Sequence, residues 1–189
     1  TPQERDLLVQ AEKETLAITP LDDTRIKQVL DRFYWERLPA IGIGRALREV
    51  KPVGGRRKVA ALNKFAEKYR QPLSKWVVVG DSITDFRMLR AVEDAGGLAI
   101  AFNANGYALP HATMGLASTM LSDLTDVLTA WQKGGRSAAE KLVREKERLG
   151  GSGDRNYFQW LSGRKDIADV VQVHARIRKL VREEAARLG

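Results

Sequence analysis

Asp81 and Asp85 stand four positions apart in Gly80-Asp81-Ser82-Ile83-Thr84-Asp85, directly after the apolar run Trp76-Val77-Val78-Val79. A short continuous apolar run reads as a buried parallel strand, and Gly80 ends it in a tight turn. In open α/β sheets, ligands bind outside the carboxyl ends of the strands. Two closely spaced carboxylates at such a place suit Mg²⁺, a hard cation that takes oxygen ligands and keeps several waters. Lys58 lies 23 residues before Asp81, at the start of the helix that feeds this strand. From there its ammonium can reach the same crevice and bind a phosphate as a point charge. The expected centre is a divalent-metal and phosphate site.

The elements that must hold these residues follow from the patterning. Residues 56–70 read as a helix with Val59, Leu62, Phe65, Ala66 and Tyr69 facing inward. The strand Trp76–Val79 leads to a helix over Thr84–Asp94, which Gly96-Gly97 ends. A strand over Leu98–Phe102 follows, then the polar loop Asn103-Ala104-Asn105-Gly106. A short strand near Met114–Ala117 leads into a helix from about Leu121 to Trp131. This alternation predicts a doubly wound, parallel α/β arrangement.

Before it, Thr1-Pro2-Gln3-Glu4 carries the marks of a helix start: a Thr N-cap, an early Pro and a capping-box Glu. Leu16-Ala17-Ile18-Thr19-Pro20 breaks that helix. A second helix is expected over Thr24–Leu38 and a short one after Pro39, with a loop at Val50–Gly55. After Gly134-Gly135 the rest reads as helical, broken at Gly150-Gly151-Ser152-Gly153. Its last helix, about Asp166 to Leu188, places Val170, Val173, Ile177, Leu180 and Val181 on one face.

Composition narrows the classes. The chain has 189 residues, 43% of them hydrophobic, enough for a sizeable core. It has no cysteine, which excludes disulfides, zinc–thiolate sites and thiol chemistry. No apolar run is long enough to span a bilayer, so no membrane contact is expected, and a cytoplasmic location is the default. Of the net charge of +8, most sits in residues 133–189, which hold 14 Lys and Arg against 8 Asp and Glu. Such a surplus either attracts nucleic acid or keeps a helical surface solvated; the interleaved acids favour solvation.

Taken together, Lys58, the Gly-Asp-Ser-Ile-Thr-Asp turn and Ala101-Phe102-Asn103-Ala104-Asn105 resemble the haloacid dehalogenase superfamily. The likeness is to its phosphoserine-phosphatase-like members and to a poorly characterised, largely archaeal branch, and it covers about residues 50–132. The resemblance implies a Rossmann-like, three-layer parallel sheet. It implies that Lys58 neutralises the phosphoryl group and the nucleophile, that Asp81 holds Mg²⁺, and that Asp85 touches the metal or its waters. Asn103 would sit near the phosphate. In that family an Asp attacks phosphorus and water hydrolyses the aspartyl-phosphate, with a second acidic residue as general acid and base.

One part of the pattern is missing. The family's nucleophile lies in an Asp-x-Asp motif, and none occurs in the 189 residues. Asp22-Asp23-Thr24 is the nearest imitation and reads better as a turn and helix cap; Thr19, the nearest to the family's second-motif hydroxyl, is followed by proline. The strand Trp76–Val79, apolar on both faces, also lacks a neighbour for one edge, and an open apolar edge is an aggregation template. The expectation is therefore the C-terminal half of a larger fold. Residues 1–50 would be a helical cap remnant, 51–132 half of the α/β core, and 133–189 a basic helical tail. A missing N-terminal half or a partner chain would bring the nucleophile.

The expected function is Mg²⁺-dependent hydrolysis of a small phosphate monoester, this chain alone having little activity. The alternative is a non-catalytic module of the same fold whose basic tail contacts nucleic acid or a protein. Simpler roles compete at each position. Asp81 and Asp85 could instead be a helix cap and a first-turn acid, but the preceding strand and Lys58 favour the metal site. Gly54-Gly55-Arg56-Arg57-Lys58 lacks P-loop spacing. His111 and His174 have no partner at ligand or triad spacing, and Trp35, Trp76, Trp131 and Trp160 fit packing better than base stacking.

Overall fold

A computed structural model describes residues 1–19, 22–42, 44, 49–50 and 53–188. Pro20, Lys51, Pro52 and most of the short helix expected after Pro39 lie outside the described residues. The chain divides into two compact units, Thr1–Pro52 and Val53–Gly189.

The first unit is helical. Helix α1 (Pro2–Leu16) opens with the expected capping box, Thr1 and Glu4 each satisfying the other's orphan backbone N–H. Helix α2 (Asp23–Asp31) is capped by Asp22, whose carboxylate accepts from the N–H groups of Thr24 and Arg25. The Asp22-Asp23-Thr24 stretch is thus a helix cap. The helix expected to run on to Leu38 changes winding instead, to a π-helix over Arg32–Arg37 and a 3₁₀ turn over Leu38–Ala40. Ala11, Phe33 and Leu38 form its small core, and Arg37 pairs with Glu14 at 3.0 Å.

The second unit is a sheet with helices on both faces. Helix α3 (Arg56–Tyr69) precedes strand β1 (Val77–Gly80), helix α4 (Phe86–Asp94), strand β2 (Leu98–Phe102) and strand β3 (Met114–Ala117). Helix α5 (Thr125–Leu149), strand β4 (Tyr157–Trp160) and helix α6 (Ala168–Leu188) complete it. The strands lie in the order β1-β2-β3-β4. The first three are parallel, with Val77 opposite Leu98 and Ile100 opposite Met114. A helix between two parallel strands is what carries the chain back to begin the second.

Strand β4 runs antiparallel to β3, Trp160 opposite Met114. It corrects the expectation that everything after Gly134-Gly135 is helical. The glycines do break the helix as the sequence suggests: both have non-helical backbone angles, and α5 is two helical stretches joined across a kink there.

Side chains alternate about the sheet, as a period of two requires. Val78, Ala99 and Ala101 face a core made with Leu62 of α3, Leu89 and Val92 of α4 and Val170 of α6. Leu98, Ile100, Met114, Leu116, Phe158 and Trp160 face the other, closed by Val127, Ala139 and Val143 of α5. The inward stripe expected on α3 is narrower than its apolar residues suggest. Leu62 is buried, but Phe65 and Tyr69 are exposed, stacked at 6.3 Å on a surface that also carries Trp76. Among the described residues no strand pairs with the outer edge of β1, and Val79 there is 42% exposed.

Candidate metal and phosphate site

The site is built where β1 ends. Gly55, at φ +50°, opens α3, and its N–H donates to the carbonyl of Thr84 at 2.8 Å. That left-handed conformation costs glycine little and would strain any other residue. The bond ties the start of α3 to the turn after β1, and Lys58, one turn into the helix, is aimed at that turn. Its Nζ lies 2.5 Å from Oδ1 of Asp85.

Asp85 is the residue just before α4, yet its carboxylate makes no capping bond to that helix. It turns back instead. Oδ2 accepts from the N–H of Asp81 at 3.3 Å, the N–H of Ser82 at 3.2 Å and the hydroxyl of Ser82 at 3.0 Å. Asp85 is thus more than an ordinary acid at a helix start. Burial by itself would raise this carboxyl, but the bonds from Lys58, Ser82 and the Asp81 N–H outweigh it and hold the group below the ordinary carboxylate range. Asp85 is a fixed anion that organises the turn and orients Lys58.

Asp81 is different. Its side chain is 55% exposed at the end of β1. Its carbonyl accepts from the N–H of Asn105, joining the turn to the loop after β2. Among the described residues its carboxylate meets Arg178 of α6, whose Nη1 is 3.0 Å from Oδ2. The same Nη1 donates to the carbonyls of Asp81 at 2.8 Å and Asn103 at 2.9 Å.

Asn103 has a structural task. It sits at φ +45°, a conformation Asn tolerates better than most residues. Its Nδ2 donates to the carbonyl of Ser118 at 2.7 Å, and its Oδ1 accepts from the Ser118 N–H at 2.9 Å. The amide clamps the ends of β2 and β3 through Ser118, and the backbone carbonyl of Asn103 meets the crevice cation Arg178.

Helix α6 reaches the site from a buried anchor. His174 is fully buried, and its Nδ1 accepts from the N–H of Ala104 at 3.0 Å. Its Nε2 faces the side-chain amide of Gln159 at 3.2 Å. Burial pushes this imidazole down to about 4, so it is neutral at physiological pH. Arg178 follows His174 by one helical turn and shares its face. His111 lies apart, its ring 5.2 Å from that of Phe86.

Mg²⁺ demands near-octahedral oxygen ligation and is commonly held by one or two carboxylates, waters completing the shell. Among the described residues no group of three or more His, Cys, Asp or Glu side chains gathers to cage a metal. The half-exposed Asp81 fits a cation held by one protein carboxylate. Asp85, with both oxygens engaged, fits a role behind that ligand.

Arg178, Ser82 and Ser118 were not singled out from the sequence. Ser82 lies inside the motif and its hydroxyl signal was readable; Arg178 is one basic residue among many in a helix, 97 positions from the carbonyl it binds.

No family model matches this sequence, and no curated protein matches it. Among solved structures the fold is similar to that of gene product AF1437 from Archaeoglobus fulgidus. The two share 22% identity with a TM-score of 0.70, over 94% of this chain and 52% of that one. This chain therefore spans about half the length of that archaeal protein. The likeness is one of fold.

Proposed function

We propose that this chain is the metal- and phosphate-binding half of a Mg²⁺-dependent phosphohydrolase of the haloacid dehalogenase type, acting on a small phosphate monoester. The observation that carries the reading is the Lys58–Asp85 pair, 2.5 Å apart, beside the half-exposed Asp81 at the carboxyl end of β1. The Rossmann-like reading of the sheet belongs to the same proposal.

Each residue has one task. Asp81 offers the metal its carboxylate. Asp85 holds Lys58, and Lys58 places an ammonium where the phosphoryl oxygens gather negative charge. Mg²⁺, when bound, neutralises phosphoryl oxygens and orients the phosphate. Neither Asp85 nor Lys58 is free to attack phosphorus, since each is spent on the other. The nucleophilic Asp would come from a segment or partner chain adding a strand to the open edge of β1, whose apolar Val79 it would cover.

The basic tail supports this reading over nucleic-acid binding. Lys146 pairs with Asp126, Arg155 with Asp123, and Arg164 with both Glu147 and Asp169. Cations committed to neighbouring carboxylates release few counterions from a nucleic acid. Among the described residues no helix is long and apolar enough to cross a membrane.

Calorimetric titration with Mg²⁺, followed by inorganic phosphate, tests the proposal. Mg²⁺ should bind the wild-type chain and lose most of its affinity in Asp81→Asn. Phosphate should then bind only with Mg²⁺ present and with Lys58 intact. Equal Mg²⁺ binding by both proteins would remove Asp81 from the site. Binding of single-stranded nucleic acid that weakens steeply with salt, without any Mg²⁺ effect, would favour the non-catalytic module.

A further inference from the structure

Arg178 is the largest feature of the site that the phosphatase reading does not use. Its side chain is mostly buried, and its charge sits 3.0 Å from Oδ2 of Asp81. Resting on the metal-site reading above, we infer that Arg178 is a built-in counter-cation of Asp81 that competes with the divalent metal and sets how tightly the site loads.

The geometry separates the anchor from the gate. Helix α6 is held by Val170, His174 and Ile177, all buried, so the backbone beneath Arg178 is fixed. The Nη1 nitrogen carries two hydrogens, and both are directed at carbonyls, those of Asp81 and Asn103. The carboxylate of Asp81 is therefore held by charge at close range, with no hydrogen of Nη1 left for it. It can turn from the guanidinium towards a metal while the carbonyl bonds persist. Two positive charges this close cannot share one carboxylate without repulsion, which is strong in a partly desolvated crevice. The metal loads when Asp81 is given up, or when the guanidinium swings out by a change of rotamer alone.

The position of the contact adds a second consequence. Arg178 joins the carbonyl ends of β1 and β2, the strands whose carboxyl ends border the crevice. A cation held there draws anions as well as repelling metals. The site at rest therefore favours a phosphate that arrives with its Mg²⁺ already bound over free Mg²⁺.

Mn²⁺ and Mg²⁺ affinities of wild type, Arg178→Gln and Arg178→Lys, measured by calorimetry, test this. Gln removes the charge and leaves an amide donor; Lys keeps the charge. Arg178→Gln should bind about fivefold more tightly than wild type, the upper scale of one ion pair to a half-exposed carboxylate. Arg178→Lys should stay near wild type, and Arg178→Gln combined with Asp81→Asn should lose the gain. Equal affinity in wild type and Arg178→Gln would overturn the competition and leave the metal site standing. Equal gains in both variants would overturn the role of charge. No binding in any variant would overturn this inference and the metal site together.

The wild-type chain supplies a check that needs no variant. In ¹⁵N spectra, the Arg178 Nε–H resonance should shift during an Mg²⁺ titration with the midpoint seen by calorimetry. A resonance that stays unmoved while Mg²⁺ binds would overturn the proposal.

Discussion

Gly80 and Asp85 stand so close that a Cβ on Gly80 would lie 2.5 Å from the Cβ of Asp85. The last residue of β1 is thus glycine because the buried carboxylate that orients Lys58 fills the space a side chain would need. Gly80→Ala should push Asp85 off its bonds to Ser82 and lower stability by about 1–3 kcal/mol, an overpacking cost. Urea unfolding measures it. A wild-type midpoint in Gly80→Ala would show that the turn yields freely and that Asp85 is not rigidly placed.

The Lys58–Asp85 pair should break asymmetrically. Asp85 is almost completely buried, whereas Lys58 keeps part of its side chain in water. Losing the carboxylate in Asp85→Ala takes the acceptor from Lys58, from the Ser82 donors and from the Asp81 N–H, at a cost of about 1–3 kcal/mol for each donor left unpaired and buried. Lys58→Gln leaves Asp85 with its bonds to Ser82 and the Asp81 N–H, and should cost clearly less. Chemical denaturation of the two variants side by side decides it, and equal losses would contradict this account.

His174 should impose a pH dependence of stability. Its imidazole titrates near 6.5 when unfolded and near about 4 in the folded protein. Between those values the unfolded chain holds the extra proton. Stability therefore rises with pH across this window and is lost as pH falls through it, by about 3 kcal/mol at most. Asp85 and Glu93 are depressed carboxyls whose stabilising effect is lost as pH falls below their ordinary values of 3.8 and 4.5, so Glu93 overlaps only the foot of the His174 window. In His174→Asn, the side-chain oxygen can accept from Ala104 and does not titrate. The slope of unfolding free energy between about pH 7 and about pH 5 should flatten in that variant. An unchanged slope would assign it to other groups.

Arg136 should be the main staple of the lower end of the sheet. It follows the kink in α5 and grips Glu93 with two bonds of 2.9 Å. It also donates to the carbonyl of Gly97 at 2.6 Å and the hydroxyl of Ser162 at 2.9 Å. A lysine cannot reproduce that fork. Arg136→Lys should cost about 1.5–3 kcal/mol by thermal or urea unfolding. A loss within error would show the network to be dispensable.

How much of this was legible in the sequence depended on distance along the chain. The capping box of α1, the strands Leu98–Phe102 and Met114–Ala117, and the end of α4 are local signals, and they lie where the patterning put them. Asp81, Asp85 and Lys58 were readable because one turn and one helix carry all three. Strand β4 was not: Tyr157–Trp160 is four residues long between helices, and only pairing with β3 makes it a strand. Phe65 and Tyr69 looked internal because apolar spacing alone does not say how wide a face the sheet covers. Arg178 and the Ser118 clamp on Asn103 depend on contacts across the fold, which no local pattern encodes.

The two rims of the sheet are unequal. At β4, the outward N–H of Trp160 is taken by Glu147, whose carboxylate is itself held by Arg164. At β1 the described residues supply no such guard, and Val79 lies open. Strand addition can therefore proceed through β1 and stops at β4. Two molecules meeting through their β1 rims would complete each other and offer no further growing end. Association of this chain by that route would be self-terminating, ending in pairs, where a sheet with two bare rims would run on into fibres.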